Sequence, residues 1–215
     1  MLGRIRWRVM ADVGLGSGSD GLLIGGDGVA RCWWAELAPA ARVYHDQDWG
    51  IPVGDDAGLF EKLSFQVFQG GMSWLMILRK WDAFQRAFAD FDVERVAGFG
   101  ERDVTRLLGD AGIVRSRGKI ETVIHNAGRA VDLIDAEGSL GLHLWSFQPK
   151  DWARPRDRAE FEGRTATTES TALARDLKKR GWRFVGPASM HLFMQAAGIV
   201  NSHVVGCHGC RGAGS

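Results

Sequence analysis

Four residues of this 215-residue chain have the types and spacing of metal ligands. His203-x3-Cys207 sets two ligands one helical turn or a short loop apart, and Cys32 and His45, separated by twelve residues, offer two more. Two imidazoles and two thiolates suit a tetrahedral zinc ion. Four protein ligands leave no open position for water, so the expected role of Zn2+ is structural rather than catalytic. Such an ion ties the first and last parts of the fold together. Taken singly, each residue has a plainer explanation, since an isolated cysteine is usually a small buried apolar group. His208 and Cys210 are rivals for the C-terminal ligands.

His45 lies in the stretch Tyr44-His45-Asp46-Gln47-Asp48-Trp49-Gly50, which holds the only tyrosine of the chain. Its residues neither alternate nor recur with helical spacing, so core filling does not explain them. The stretch is expected to anchor the metal and to present Tyr44 to a ligand. Two glycine turns add binding chemistry. In Gln69-Gly70-Gly71-Met72-Ser73-Trp74 the glycines permit close approach of a backbone or ligand, and Met72 at an exposed tip is an apolar wedge of the kind that parts stacked bases. At Ala111-Gly112-Ile113-Val114 a break between two helical patterns frees backbone N–H groups able to hold a phosphate, with Arg115, Arg117 and Lys119 adding charge. A packing role accounts for either turn equally well at this stage.

These residues must be positioned by helices. Leu59, Phe60, Leu63, Val67 and Phe68 recur at spacings of three and four from Asp55 onward, and Ser73 is placed to cap a helix through Trp74, Ile77, Leu78 and Trp81. Phe84, Phe88 and Phe91 continue a helical face over 82–91, followed by a short apolar turn or helix over 93–99. Helices over 103–110 and 115–134, joined by the Gly112 turn, form a helix–hairpin–helix. Residues 135–165 read as loop, with one added turn near 142–147. Thr168-Glu169-Ser170 opens a helix that ends at Arg180-Gly181, and Pro187–Ala197 is the last core helix. No alternating β-type run is evident, so the class is all-α: a two-lobed helical domain over 31–207, after a glycine-rich, loosely ordered leader at 1–30 and before a flexible tail at 208–215. Met10 is an alternative start.

Composition sets outer bounds. The 45% hydrophobic content fits a globular chain, and a net charge of +1 says nothing by itself about nucleic acid. Basic residues do cluster, as Arg115, Arg117, Lys119 and Arg129 and as Arg175, Lys178, Lys179, Arg180 and Arg183, although a solvated helix face explains either group. Nine tryptophans offer stacking faces or simply fill a core. Three cysteines cannot pair completely, which favours a reducing compartment. Arg4, Arg6 and Arg8 lack the following apolar core of a secretory signal, and no run of about 18 apolar residues spans a membrane. A cytoplasmic monomer is the expectation.

With these residues in view, the chain resembles the bacterial 3-methyladenine DNA glycosylase I family. The likeness rests on Cys32-Trp33-Trp34, on Tyr44 to Pro52, on Gln69 to Trp74, on Asp110 to Ile120, on Lys179 to Gly186 and on Phe193 to Cys207, in that order. It implies an all-α helix–hairpin–helix glycosylase with a zinc clasp on Cys32, His45, His203 and Cys207. It further implies that a methylated adenine is everted from double-stranded DNA and its N-glycosidic bond hydrolysed. In this reading Tyr44 and Trp74 stack on the cationic base, Trp34 and Trp49 line the same pocket, and Gly71 and Met72 plug the gap in the duplex. No catalytic aspartate is implied, because a cationic base is already a good leaving group. The matched pocket segments hold no lysine to form a Schiff base, so the enzyme is expected to be monofunctional.

One departure falls in the pocket. The family usually carries glutamate eight residues before the pocket tryptophan, and here that residue is Gln66. An amide keeps hydrogen-bonding capacity but loses a charge-assisted bond worth about 1.5–3 kcal/mol. Slower or shifted base release is expected. The competing reading is a zinc-stapled helix–hairpin–helix protein that binds damaged DNA without cutting it.

Overall fold

In the computed structural model, residues 20–209 are described; 1–19 and 210–215 lie outside them, and with them Met10, the N-terminal arginines and Cys210. The described chain is mostly helical. It opens, however, with an antiparallel hairpin of β1 (Leu22–Ile24) and β2 (Ala30–Cys32), in register Leu22 to Cys32, Leu23 to Arg31 and Ile24 to Ala30. The mostly helical chain agrees with the all-α expectation, to which this short hairpin, built from residues 22–32, is an addition. Strands of three residues are too short to show alternation, and Arg31 hid the pattern further. Its buried guanidinium pairs with Asp27 and Asp46, both at 2.8 Å, and so stitches the hairpin to the next helix.

A 3-10 segment, Trp33–Leu37, leads into α1 (Pro39–Gln47), followed by α2 (Asp56–Gln69), α3 (Trp74–Leu78), α4 (Trp81–Ala87), α5 (Val93–Ala97) and α6 (Glu101–Gly109). The long α7 (Arg117–Glu137) precedes α8 (Leu140–Trp145), α9 (Arg158–Gly163), α10 (Thr168–Lys179) and α11 (Pro187–Ala196). Central to them is α2. Leu59, Phe60, Leu63, Phe65, Val67 and Phe68 are all buried, because α11, α7, α5 and α8 pack around it. Asp55 caps its start by accepting from the Gly58 N–H at 2.8 Å. Asp56 accepts from the Leu140 N–H at 2.8 Å and so serves the start of α8 from another helix.

Three local expectations are revised. The helix expected through Trp81 breaks at Arg79-Lys80 into α3 and α4, and Ser73 makes no side-chain cap bond. The face expected over 82–91 ends at Ala87, where Ala89, Asp90 and Phe91 turn left-handed with φ of 53°, 55° and 56°. That costly geometry is held by burial of Phe91, which lies parallel to Phe88 with centroids 5.5 Å apart. The expected loop at 135–165 contains α8 and α9, capped by Ser139 and Asp157. Two apolar clusters result. The larger fills the helical body, and a smaller one gathers Cys32, Trp33, Trp34, Trp49, Val204 and Cys207 beneath the hairpin.

Candidate functional site

The smaller cluster surrounds the four expected ligands. The ligand atoms of Cys32, His45, His203 and Cys207 lie within 4.8 Å of one another, and all four residues are buried. Cys207 Sγ is 3.3 Å from His45 Nε2 and 3.4 Å from His203 Nδ1, and Cys32 Sγ is 3.9 Å from His203 Nδ1. A tetrahedral ion with metal–sulfur and metal–nitrogen bonds of ~2.3 and ~2.0 Å requires ligand separations of about 3.5 Å. The donor set therefore fits a metal ion. Hydrogen bonding to Cys32, against the opposing effect of burial, and then to His203 and His45 holds the Cys207 thiol well below its usual range. Cys32 Sγ also accepts from the Val204 N–H at 3.4 Å.

The surroundings fix the imidazoles. His45 Nδ1 meets Asp46 Oδ1 at 2.8 Å, which leaves Nε2 facing the cluster. Burial works against ionisation of Asp46, but hydrogen bonds from Arg31, His208 and His45 keep its carboxyl well below the carboxylate range. His208, a rival ligand by sequence, sits on Asp46 Oδ1 at 2.8 Å, in a neighbouring group with His45 and Asp46. Gly50, with φ of 78°, passes so close to His203 that a Cβ would lie 3.1 Å from Nε2.

Aromatic rings connect this cluster to a slot. Trp34 packs edge-on against His45 at 5.0 Å, Trp49 at 4.8 Å and Trp74 at 5.4 Å. Trp49 lies against His203 at 4.7 Å, so it serves the metal side, whereas Trp34 also backs Tyr44. Among the described residues, the buried Trp34 indole N–H has no acceptor. The slot itself is narrow, with a cavity volume of about 20 Å3, partly open to solvent, and is lined by Tyr44, Lys62, Gln66, Trp74 and Trp81 among others. Tyr44 and Trp74 stand edge to face, centroids 5.8 Å apart at 63°. A planar ring sandwiched between them needs about 7 Å and parallel faces, so a base is admitted only as the pair opens.

Gln66 is nine-tenths buried and its amide makes one long contact, Nε2 to the Lys62 carbonyl at 3.5 Å. One turn earlier on α2, Lys62 lines the same slot. It lies outside the segments that carried the family likeness, and the helical pattern gave no sign that this position faces a cavity. Burial raises the Tyr44 phenol well above its ordinary value, and the carboxylates of Asp48 and Glu61 add to the effect. Burial likewise raises Glu61, which accepts from Gln85 Nε2 at 2.9 Å.

Of the two glycine turns, Gly70-Gly71-Met72 runs between Gln69 and Trp74 of the slot lining, and the Gly112 turn lies before α7. Gly71, with φ of 74°, is exposed, but Met72 is half-buried against the helical core rather than standing free at a tip. Asp110 Oδ1 accepts from the Gly112 N–H at 2.7 Å and closes the turn before α7. The cations expected beside it divide. Arg115 is exposed, Arg117 pairs with Glu101 at 3.0 Å and Glu121 at 3.1 Å, and Lys119 donates to the carbonyls of Phe68 and Gly70 at 2.7 and 2.6 Å. Lys80, which sequence reasoning passed over, donates to the carbonyls of Ala111 and Gly112 at 2.9 and 3.0 Å. Lys119 therefore satisfies the end of α2 and fixes the Gly70-Gly71 turn, as Lys80 fixes the other. Lys119→Met is expected to lower stability by about 1–2 kcal/mol, the low end for charged hydrogen bonds because the side chain is half-exposed. A urea titration reads this as a lower midpoint with unchanged slope; an unchanged midpoint would show that the brace carries nothing.

Comparison with known proteins agrees with this geometry. The family model described as methyladenine glycosylase matches residues 33–211. DNA-3-methyladenine glycosylase 1 of Escherichia coli is 42% identical over 178 residues, covering 82% of this chain and 95% of that protein. DNA-3-methyladenine glycosylase of Haemophilus influenzae is 32% identical, covering 82% and 96%. A crystal structure of 3-methyladenine DNA glycosylase I aligns with a TM-score of 0.77 at 38% identity, covering 83% of this chain and 98% of that one. That of the Staphylococcus aureus enzyme, solved for the basis of 3-methyladenine recognition, aligns with a TM-score of 0.77 at 32% identity, covering 83% and 95%. With relatives this similar along nearly their whole length, and a family match reaching from the tryptophans of the ring cluster to beyond Cys207, the chain belongs to the methyladenine glycosylase family.

Proposed function

We propose that this protein is a DNA glycosylase of base-excision repair that everts 3-methyladenine from double-stranded DNA and hydrolyses its N-glycosidic bond. The observation that carries this reading is the slot between Tyr44 and Trp74, braced through Trp34 against the metal cluster. Opened to parallel, the two rings supply stacking faces to a flat cationic base. The Gln66 amide lines the slot and is offered to the base edge, while Trp34, whose N–H has no acceptor, backs Tyr44. The base departs as a neutral leaving group, which explains how the reaction proceeds without an assigned general base. The reaction is hydrolytic and monofunctional. Lys62 is the lysine of the slot, and its ammonium is committed to Asp48 rather than free to attack the sugar.

The turns at Gly71-Met72 and Gly112 form the DNA-facing edge, the second as the turn of a helix–hairpin–helix, with Arg115 exposed beside it to reach a phosphate. Zinc is the ion that two thiolates and two imidazoles select, and its part is structural: it fastens β2 and α1 to the segment after α11. The protein acts as a monomer.

Gln66 sets the rate. Restoring the carboxylate with Gln66→Glu is expected to raise 3-methyladenine release from alkylated duplex by ten- to a hundredfold, the worth of about 1.5–3 kcal/mol for a charged hydrogen bond. Chromatography of the freed base measures it. Unchanged release would remove Gln66 as the limiting feature, and release by neither form would favour the binding protein that does not cut.

A further inference from the structure

The relation between Lys62 and the slot goes beyond what family membership implies. Lys62 is only 2% exposed, on the one stretch of α2 where the helix faces a cavity rather than the core. Its ammonium stands 4.9 Å from the Trp81 ring centre and 5.6 Å from that of Tyr44, and it is ion-paired with Asp48. Asp48 follows α1, so the pair links the helix that bears Tyr44 to the helix that bears Gln66. A cationic base would be held in this slot by attraction to electron-rich rings. Here a protein cation already occupies the face of Tyr44, and the side chain one turn away is a neutral amide.

We propose that Lys62 sets base preference in this chain: its buried ammonium, held over Tyr44 and Trp81 by Asp48, disfavours a cationic base in the slot and favours a neutral base that carries a carbonyl oxygen. The inference rests on the glycosylase reading above. Like charges within a desolvated pocket repel, and Asp48 compensates only in part, because its side chain is about one-third exposed. The same ammonium has N–H donors for an acceptor at C6 of the base, where an N3-alkylated adenine carries an amino donor and an oxo purine a carbonyl oxygen.

Opposite signs in two variants test this. Lys62→Met keeps the length and apolar stem of the side chain while removing its charge, and it leaves the Asp48 carboxylate facing the slot. Asp48→Asn does the reverse, leaving the ammonium without its partner. Base release is read from two duplexes, one containing 3-methyladenine and one containing hypoxanthine. Wild type is expected to release hypoxanthine measurably. Lys62→Met should raise 3-methyladenine release on the order of tenfold and abolish hypoxanthine release. Asp48→Asn should lower 3-methyladenine release several-fold, and Lys62→Arg should keep the wild-type preference. A purely structural Lys62 would move both bases down together in Lys62→Met and in Asp48→Asn, and that outcome overturns the proposal. Should Lys62→Met fail to fold, Asp48→Asn still decides: the proposal has it lower 3-methyladenine release while hypoxanthine release is kept, whereas a structural role lowers both. Release of neither base by wild type or any variant would instead sink the glycosylase reading, and this inference with it.

Discussion

Replacing Cys207 with alanine is expected to release the metal and lower the melting temperature by about 10 °C or more. Structural zinc sites contribute on the order of 10–16 kcal/mol of folding free energy in small zinc domains, and losing even about 5 kcal/mol of that is large for a chain of this size, at roughly 2–4 °C per kcal/mol. The reason lies in what the four ligands join. Cys32 ends the β-hairpin and His45 lies in α1, while His203 and Cys207 follow α11, so an ion held by these four would close a loop that spans nearly the whole described chain. Without it, Asp46 loses a correctly oriented His45 and Trp49 loses a fixed His203 to pack on. Metal content by atomic spectroscopy and a thermal melt read both effects. A variant that keeps one equivalent of zinc, or melts with the wild type, would remove the structural ion.

Trp74→Ala should cost catalysis far more than stability. Trp74 is half-exposed at the start of α3, so its loss leaves the main core intact and moves the melting temperature by only about 5 °C. It does remove one wall of the slot, together with edge contacts to Trp34 and Tyr44. Stacking is worth about 1–3 kcal/mol per base, and a desolvated cation over an aromatic face ~2 kcal/mol more. Release of 3-methyladenine should therefore fall on the order of a hundredfold. A loss of activity no greater than the loss of folded protein would mean that Trp74 is packing alone.

The Cys/His cluster was legible because cysteine and histidine are scarce here, and four at those spacings have few other uses. The long helices were legible for a similar reason: the apolar residues of α2, α7 and α10 repeat with helical period over many turns. What stayed hidden lacked such redundancy. The breaks at Arg79-Lys80 and at Ala89-Asp90-Phe91 have neither glycine nor proline to mark them, and at the second the Phe88 and Phe91 rings stack across the turn. Ser139 and Asp157 are good cap residues and could have located α8 and α9, but the glycines and prolines nearby masked them. Lys62 is the instructive miss. A lysine amid apolar residues of a helix reads as a surface position, and only the approach of α1, bringing Tyr44 and Asp48 over α2, turns it into the wall of a cavity. Lys119 differs in kind, since its charge was recognised but its two carbonyl partners, about fifty residues earlier, were not.

The most direct test is to incubate the zinc-loaded protein with duplex DNA methylated at N3 of adenine and to measure free 3-methyladenine against abasic sites. A ring-walled slot that accepts the everted base predicts equal amounts of both, accumulating over repeated turnovers, with no strand cleavage and none of either product from unmethylated DNA. Tight binding to the methylated duplex with no free base would contradict it.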